Sequence, residues 1–413
     1  MSLYFKPKML IIMILGITSG LPLALSGSTL SAMLMDSGIS MTNIAIFGLV
    51  STPYAFKYLW SPLVDNLNLP ILGRILGRRR SWLIFTQIFL FSSIIFIGLY
   101  ARQTPDLLML GISTFCMSFF SATQDIVIDA YRIEILREEE QGFGAAVAIF
   151  GYRIGMLLSG AGSFFIAEYF SWSAAYLLSA FFLIPGGLAA LFYGEPAATK
   201  KYQREFNNIK DWLKHGFIDP FLELMKMKNW LIMIALILLY KLSDAYIGML
   251  TTPFLLDIGF SKIEIASIIK LYGFLATMLG MFLGGYLISK CGNIFVILIF
   301  GLILQCLSNL SFVIQATYGY DISILITVIS IENFCSGISG AALVAYISTI
   351  VKREFTATHY AILSSLAVFG STTISSSAGK VVSLIGWTNF FYFSALLSLP
   401  AFFCLYYLYY KKK

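Results

Sequence analysis

The sequence predicts an all-α membrane protein whose twelve transmembrane helices form two six-helix bundles related by pseudo-two-fold symmetry. Three observations carry this expectation: apolar runs of membrane-spanning length, a lopsided distribution of lysine and arginine, and an internal repeat. Of the 413 residues, 58% are hydrophobic and only 12% are charged, with a mean hydropathy of +0.83. A soluble domain carries about 25% charged residues. Half that share, with apolar runs along the whole chain, excludes an ordinary soluble enzyme.

The apolar runs fall near 9–35, 42–63, 82–101, 106–131, 142–167, 172–193, 229–256, 263–288, 293–315, 321–351, 358–384 and 386–409. Each is close to the ~20 residues that carry a helix across ~30 Å of hydrocarbon. The first run, Met9 to Met35, is too long for a signal peptide and lacks a small-x-small cleavage site, so it reads as an uncleaved span. The five cysteines lie in or beside apolar runs without paired or metal-ligand spacing, and His215 and His359 stand apart. Neither a disulfide framework, a metal site nor a cofactor is expected.

Orientation follows from the basic residues. With the amino terminus inside, 21 of the 28 lysines and arginines fall in inside segments, 3 in outside segments and 4 within spans. This places both termini in the cytoplasm. It also explains the net charge of +7 without a nucleic-acid partner. The one long polar break, 194–228, is basic and divides the spans six and six. The expected organisation is an N-terminal bundle (1–193), a cytoplasmic linker (194–228) and a C-terminal bundle (229–413).

The halves repeat each other. "LMDSGISMTNIA" (34–45) aligns with "LLDIGFSKIEIA" (255–266) at an offset of 221, and "FCMSFFSA" (115–122) with "FCSGISGA" (334–341) at 219. Ser261 and Glu264 have the spacing of a capping box. A parallel repeat of two six-helix bundles is the layout of major facilitator transporters. Channels and membrane enzymes do not predict it.

Ionisable residues inside spans cost roughly 2.5–3.5 kcal/mol each on insertion scales and mark functional sites. Asp125 lies in the cytoplasmic half of the fourth span beside Gln124, with no cation nearby in sequence. Asp129 is one turn further on and can pair with Arg132 at the interface. Lys241 and Asp244 share a face at the midplane of the seventh span. Glu332, followed by Asn333, is an isolated mid-membrane acid and the best proton carrier by position. Arg153 cannot neutralise itself and needs water, an acid or an anionic ligand; Lys270 is similarly central. Gln124, Asp125, Arg153, Lys241, Asp244, Lys270, Glu332 and Asn333 are therefore the candidates for substrate binding or proton coupling. Lys57, Asp65, Arg78, Arg79, Asp129 and Arg132 are candidates for gating contacts. Tyr54, Tyr152, Tyr240, Tyr246 and Tyr272 lie near these charges and are available to stack on sugar rings. No phosphate-binding loop, G-x-S-x-G or histidine–acid constellation is present, so no enzyme is expected.

These strings carry a family resemblance. "SGLPLALSGSTL" (19–30), "FKYLWSPLVD" (56–65), "GRRRSWL" (77–83), "SATQDIVIDA" (121–130), "GYRIGMLLSG" (151–160), "YKLSDAY" (240–246) and "ENFCSG" (332–337) resemble the AmpG-type muropeptide permeases of the major facilitator superfamily, collinearly and across both halves. The resemblance implies an inner-membrane symporter that imports anhydromuropeptides, the GlcNAc-anhydroMurNAc peptides of peptidoglycan recycling, on the proton gradient; a monomer is expected. Its partners are then the glycopeptide, protons and the lipid bilayer. Two features depart from the family: the stretch from Asp65 to Gly77 is longer, and His359 stands where glutamine is expected. Acetyl-CoA transporters resemble the same branch, so transport of another anionic solute such as acetyl-CoA is the alternative.

Overall fold

A computed structural model of the chain describes residues 6–39, 47–101, 106–196, 210–211, 214–375 and 377–412. The linker cations Lys200, Lys201 and Arg204 lie outside these residues. Among the described residues, ten helical segments are long and apolar enough to cross a membrane. The other two spans differ from a simple rod for identifiable reasons.

The helices are labelled here by span. α1 is Pro7–Asp36, α3 Arg78–Tyr100, α4 Leu107–Ile135, α6 Trp172–Tyr193, α7 Trp230–Asp257, α9 Ile294–Tyr318 and α10 Ile322–Ile350. α5 runs as Gln141–Ser159 and Ala161–Tyr169. α8 comprises Lys262–Ile268, a π-helical turn Ile269–Gly273 and Phe274–Cys291. α2 is broken into Gly48–Ser51, Thr52–Phe56, Lys57–Leu59 and Ser61–Asn66. Pro53 and Pro62 each stand in the first turn of their segment. Proline is tolerated there but lacks the N–H an interior position requires, so each restarts the helix.

The last candidate span, Ala378–Lys411, has 34 residues. As one rod it would reach about 51 Å, well beyond the hydrocarbon thickness. Gly386, at φ 75° and ψ 169°, ends the helical path inside it. Only glycine adopts that backbone without strain. α11 is therefore Thr356–Ser375 continued by 378–385, and α12 is 387–412. This places the break at the boundary the apolar runs suggest, between 384 and 386.

Helix starts follow their capping chemistry. Asp106, Ser171 and Asn293 each accept a backbone N–H of the following turn, at 2.9, 3.1 and 3.1 Å. At the start of α8, Ser261 Oγ accepts from Glu264 N (3.2 Å) while Glu264 Oε2 accepts from Ser261 N (2.8 Å), a reciprocal capping box.

The repeat is visible in matched contacts. Trp172 Nε1 donates to Asp36 Oδ2 at 2.8 Å, and Trp387 Nε1 donates to Asp257 Oδ2 at 2.7 Å. The two aspartates are aligned by the 221 offset, so the same hook ties α1 to α6 and α7 to α12. The fourth and tenth helices require a correction. α4 and α10 each have 29 residues, begin after Asp106 and Asp321, and lead into short 3-10 turns at Glu138–Glu140 and Arg353–Phe355. All these features share an offset of 215, not 219. Asp125 thus corresponds to Gly340 rather than Val344, and Glu332 to Met117 rather than Ser113. The change from 221 to 215 accompanies the extra length between Asp65 and Gly77.

The chain forms two compact units. Unit 1 comprises Met1–Arg137, Val147–Phe221 and Val351–Ala361; unit 2 comprises Glu138–Ala146, Leu222–Ile350 and Ile362–Lys413. Within unit 1, α1 and α5 cross backbone to backbone. A Cβ at Gly20 would lie 2.0 Å from the Tyr152 carbonyl oxygen, and one at Gly155 2.1 Å from that of Ile17. Small residues permit this approach where no hydrophobic force separates helix from lipid. The crossing fixes Ser19 of α1 beside α4.

Candidate functional site

Unit 1 holds two charge clusters. In the first, Ser19 donates its hydroxyl to Asp125 Oδ1. Lys57 and Asp129 both act electrostatically on Asp125, so packing supplies a cation that the local sequence does not. Lys57 is three-dimensionally close but belongs to the broken α2, which local sequence spacing does not reveal. Tyr54 lies beside Ser121 and Asp125. Gln124 is 1% exposed, and among the described residues neither atom of its amide has a protein partner. One turn toward the interface, Arg132 Nη2 lies 3.5 Å from Asp129 Oδ1 and its guanidinium rests 5.3 Å from the Tyr360 ring centroid. Arg153 is exposed on the surface of unit 1.

The second cluster centres on Arg79, which has no exposed surface. Its Nε donates to Glu134 Oε1 at 3.1 Å and its Nη2 to the same oxygen at 2.5 Å. Nη2 also donates to Asp65 Oδ1 at 2.7 Å, and Nη1 to the Val64 carbonyl at 3.0 Å. Arg78 Nη1 donates to the Asp65 carbonyl. The Asp65 carboxylate accepts three further bonds from the first turn of α11: Ala357 N at 3.1 Å, Thr358 N at 2.7 Å and Thr358 Oγ1 at 2.7 Å. An anion at a helix N-terminus meets unpaired N–H groups and the positive end of the dipole. His359 continues the same turn, with Nδ1 accepting from Lys352 N at 3.3 Å and Nε2 3.0 Å from the Pro220 carbonyl.

Burial alone raises the pKa of Asp65. The charges of Arg79 and Arg78 and the hydrogen bonds from Arg79 and Thr358 outweigh it, so the carboxyl titrates below its ordinary value of 3.8. A carboxylate with a lowered folded pKa contributes stability that is fully present above its unfolded pKa and is lost as pH falls through the folded value. The expected outcome is that Asp65→Asn melts at a lower temperature than the unsubstituted protein at pH 7, with the gap narrowing below about pH 4. A pH-independent gap would show that the charge is not what stabilises.

Unit 2 holds the third cluster. α7 is interrupted between Leu239 and Leu242, and Lys241 stands at the break with φ −100° and ψ 7°. Its ammonium bonds Asp244 Oδ2, Ser336 Oγ at 3.0 Å and Ser339 Oγ at 3.1 Å. Both serines come from α10. Glu332, one turn from Ser336, feels the charges of Asp244 and Lys241. Its Oε2 accepts from Asn333 Nδ2 at 2.6 Å, and Asn333 Oδ1 accepts from Thr277 Oγ1 at 3.0 Å. Lys270 falls in the π-helical turn of α8, and its side chain is outside the described ones. Tyr240 is fully buried and donates to the Leu298 carbonyl at 3.1 Å, a core role and not a stacking surface.

Sequence reasoning missed Ser19, Ser336, Ser339, Glu134 and the start of α11. Hydroxyls are common in membrane helices and carry no charge signal. Glu134 is visible in "YRIEI", but nothing local shows that it reaches Arg79 across 55 residues.

Residues 8–177 match the family model "Acetyl-coenzyme A transporter 1", and residues 234–413 match "Major Facilitator Superfamily". Among solved structures, the proton:xylose symporter XylE bound to 6-bromo-6-deoxy-D-glucose superposes with a TM-score of 0.70 at 13% identity, covering 97% of this chain and 95% of that one. The repeated helical spans among the described residues, with the match of residues 234–413 to that family model, define a multi-pass membrane transporter of the major facilitator class. Over 403 residues the chain is 37% identical to "Putative transporter AmpG 4" of Rickettsia felis, covering 96% of this chain and 95% of the relative. It is 36% identical to the "Anhydromuropeptide permease" of Escherichia coli (strain K12), covering 97% of this chain and 79% of that protein. The chain belongs to the AmpG family of transporters.

Proposed function

We propose that this transporter imports anhydromuropeptides across the bacterial inner membrane, coupled to protons and with both termini in the cytoplasm. The observation that carries this reading is the 36% identity to the E. coli anhydromuropeptide permease over 97% of this chain. The chemistry is compatible. A muropeptide brings several carboxylates, which Lys241, Arg153, Lys57 and Lys270 can meet as cations. Asp125 and Glu332 are acids at membrane depth suited to exchanging a proton. The Asp65–Arg79–Glu134 cluster, with Arg78, Asp129 and Arg132, serves as the cytoplasmic gate, because its bonds tie α2, α3, α4 and α11 together.

The test is uptake of labelled anhydromuropeptide into proteoliposomes, with and without an imposed pH gradient. Saturable, gradient-driven uptake is expected. Absence of saturable uptake sinks the substrate assignment; indifference to the gradient sinks the coupling. Glu332→Gln should retain exchange of internal for external substrate but lose gradient-driven accumulation. Retained accumulation assigns the proton elsewhere. A second reading, transport of acetyl-CoA, is favoured by the match of residues 8–177. Competition of uptake by CoA esters would support it.

A further inference from the structure

Gly301, Gln305 and Asn309 follow one another at intervals of four on α9, so they form one stripe that drifts by about 40° per step. Contacts fix both ends of this stripe. A Cβ at Gly301 would lie 2.5 Å from the Tyr240 hydroxyl and 3.2 Å from Ser339 Cα. Asn309 Nδ2 donates to Ser243 Oγ at 2.8 Å. Tyr240 and Ser243 bracket Lys241 in sequence, and Ser339 is one of its partners. Gln305 therefore lies between these contacts, and helical side chains lean toward the helix N-terminus, here toward Tyr240 and Ser339.

Gln305 is 0% exposed, as is Asn309. Among the described residues, Gln305 Nε2, Gln305 Oε1 and Asn309 Oδ1 have no protein partner. The corresponding amide of unit 1 behaves differently. Gln87 lies as far before Tyr100 at the end of α3 as Gln305 lies before Tyr318 at the end of α9, and it donates to the Leu183 carbonyl at 3.0 Å. A buried amide without a partner at membrane depth is strongly unfavourable. Buried waters typically make about three bonds to such groups. A water that accepts from Gln305 Nε2 and donates to Asn309 Oδ1 satisfies two of the three atoms and keeps a proton for another acceptor.

We propose that Gln305 and Asn309 hold ordered water in the core of unit 2, beside the Lys241–Asp244 pair, and that this water sets the protonation balance of the pair during transport. Gln305 is then a positioning residue. The second half of the proposal rests on the proton-coupled reading above. The titratable groups that act on the pair are Tyr240 from α7 and Glu332 and Cys335 from α10.

Radiolytic hydroxyl labelling of the purified full-length protein oxidises side chains beside ordered internal water even where bulk solvent does not reach. Tyr240 should be labelled, and Gln305→Leu should remove that label while the melting temperature is retained. Gln305→Met, of nearly equal volume, serves if the leucine variant does not fold. An unlabelled Tyr240 in the unsubstituted protein, or equal labelling in the variant, overturns the water site in favour of direct pairing of the two amides. In proteoliposomes, the same variant should shift the pH midpoint of uptake by about one unit, and Gln305→Asn should restore part of it. An unshifted midpoint overturns the coupling role. Labelling needs no transport, so a positive label with no uptake by the unsubstituted protein counts against the proposed function and not against the water.

Discussion

Lys241→Ala is expected to abolish uptake of labelled anhydromuropeptide. The substitution removes the ammonium that pairs with Asp244 and leaves that carboxylate, which is 8% exposed, without this counter-charge. Breaking a buried pair from one side costs about 3–5 kcal/mol, because the remaining ion is uncompensated. Loss of uptake and loss of stability are therefore expected together, and a second variant separates them. Lys241→Met with Asp244→Asn removes both charges at similar volume and should recover most of the melting temperature. Uptake should stay absent if the ammonium itself meets the substrate. Recovery of uptake in the double variant would make Lys241 a purely structural residue.

Arg79→Ala should have the largest effect on folding. It strips two carboxylates, Asp65 and Glu134, of a shared partner in a site where none of the three side chains is exposed. Several kcal/mol of destabilisation is the expected scale, about 3–5 for breaking one buried pair, with accumulation in the membrane falling accordingly. Arg79→Lys should recover only part, since one ammonium cannot reproduce the fork that meets Glu134, Asp65 and the Val64 carbonyl at once. Arg80→Ala is the control. Among the described residues, its guanidinium bonds the Ala190 and Leu191 carbonyls at the end of α6. Melting temperatures and membrane abundance measured across the three variants decide the matter. Equal losses for Arg79→Ala and Arg80→Ala would refute a special role for the buried network.

The architecture was legible because its signals are local. Apolar length, basic loops and two matching strings lie along the chain, and Asp36 with Asp257 emerged from the alignment before the tryptophans that bind them. Capping was legible at Ser261 for the same reason. What was not legible depends on contacts between distant spans. The pairs Asp129–Arg132 and Lys241–Asp244 are one helical turn apart and could be read directly. Ser19 with Asp125, and Asp65 with Thr358, are brought together by packing alone. The 219 offset failed because residues recurring in apolar sequence align by chance, whereas helix ends and caps are set by geometry.

The cap that Asp65 places on α11 has a consequence for how the chain is made. Asp65 and Thr358 are 293 residues apart, and synthesis proceeds at about 5–20 residues per second. Roughly 15–60 s therefore pass between the emergence of the acid and that of the backbone groups it will hold. Glu134 emerges early enough to engage Arg79 within the first third of synthesis, while the remaining acceptor sites of Asp65 wait for helix eleven. Unit 1 is thus closed by almost the last span to leave the ribosome, and chains truncated before Thr356 should be recognised by membrane quality control as unfinished even though five-sixths of their length is already inserted.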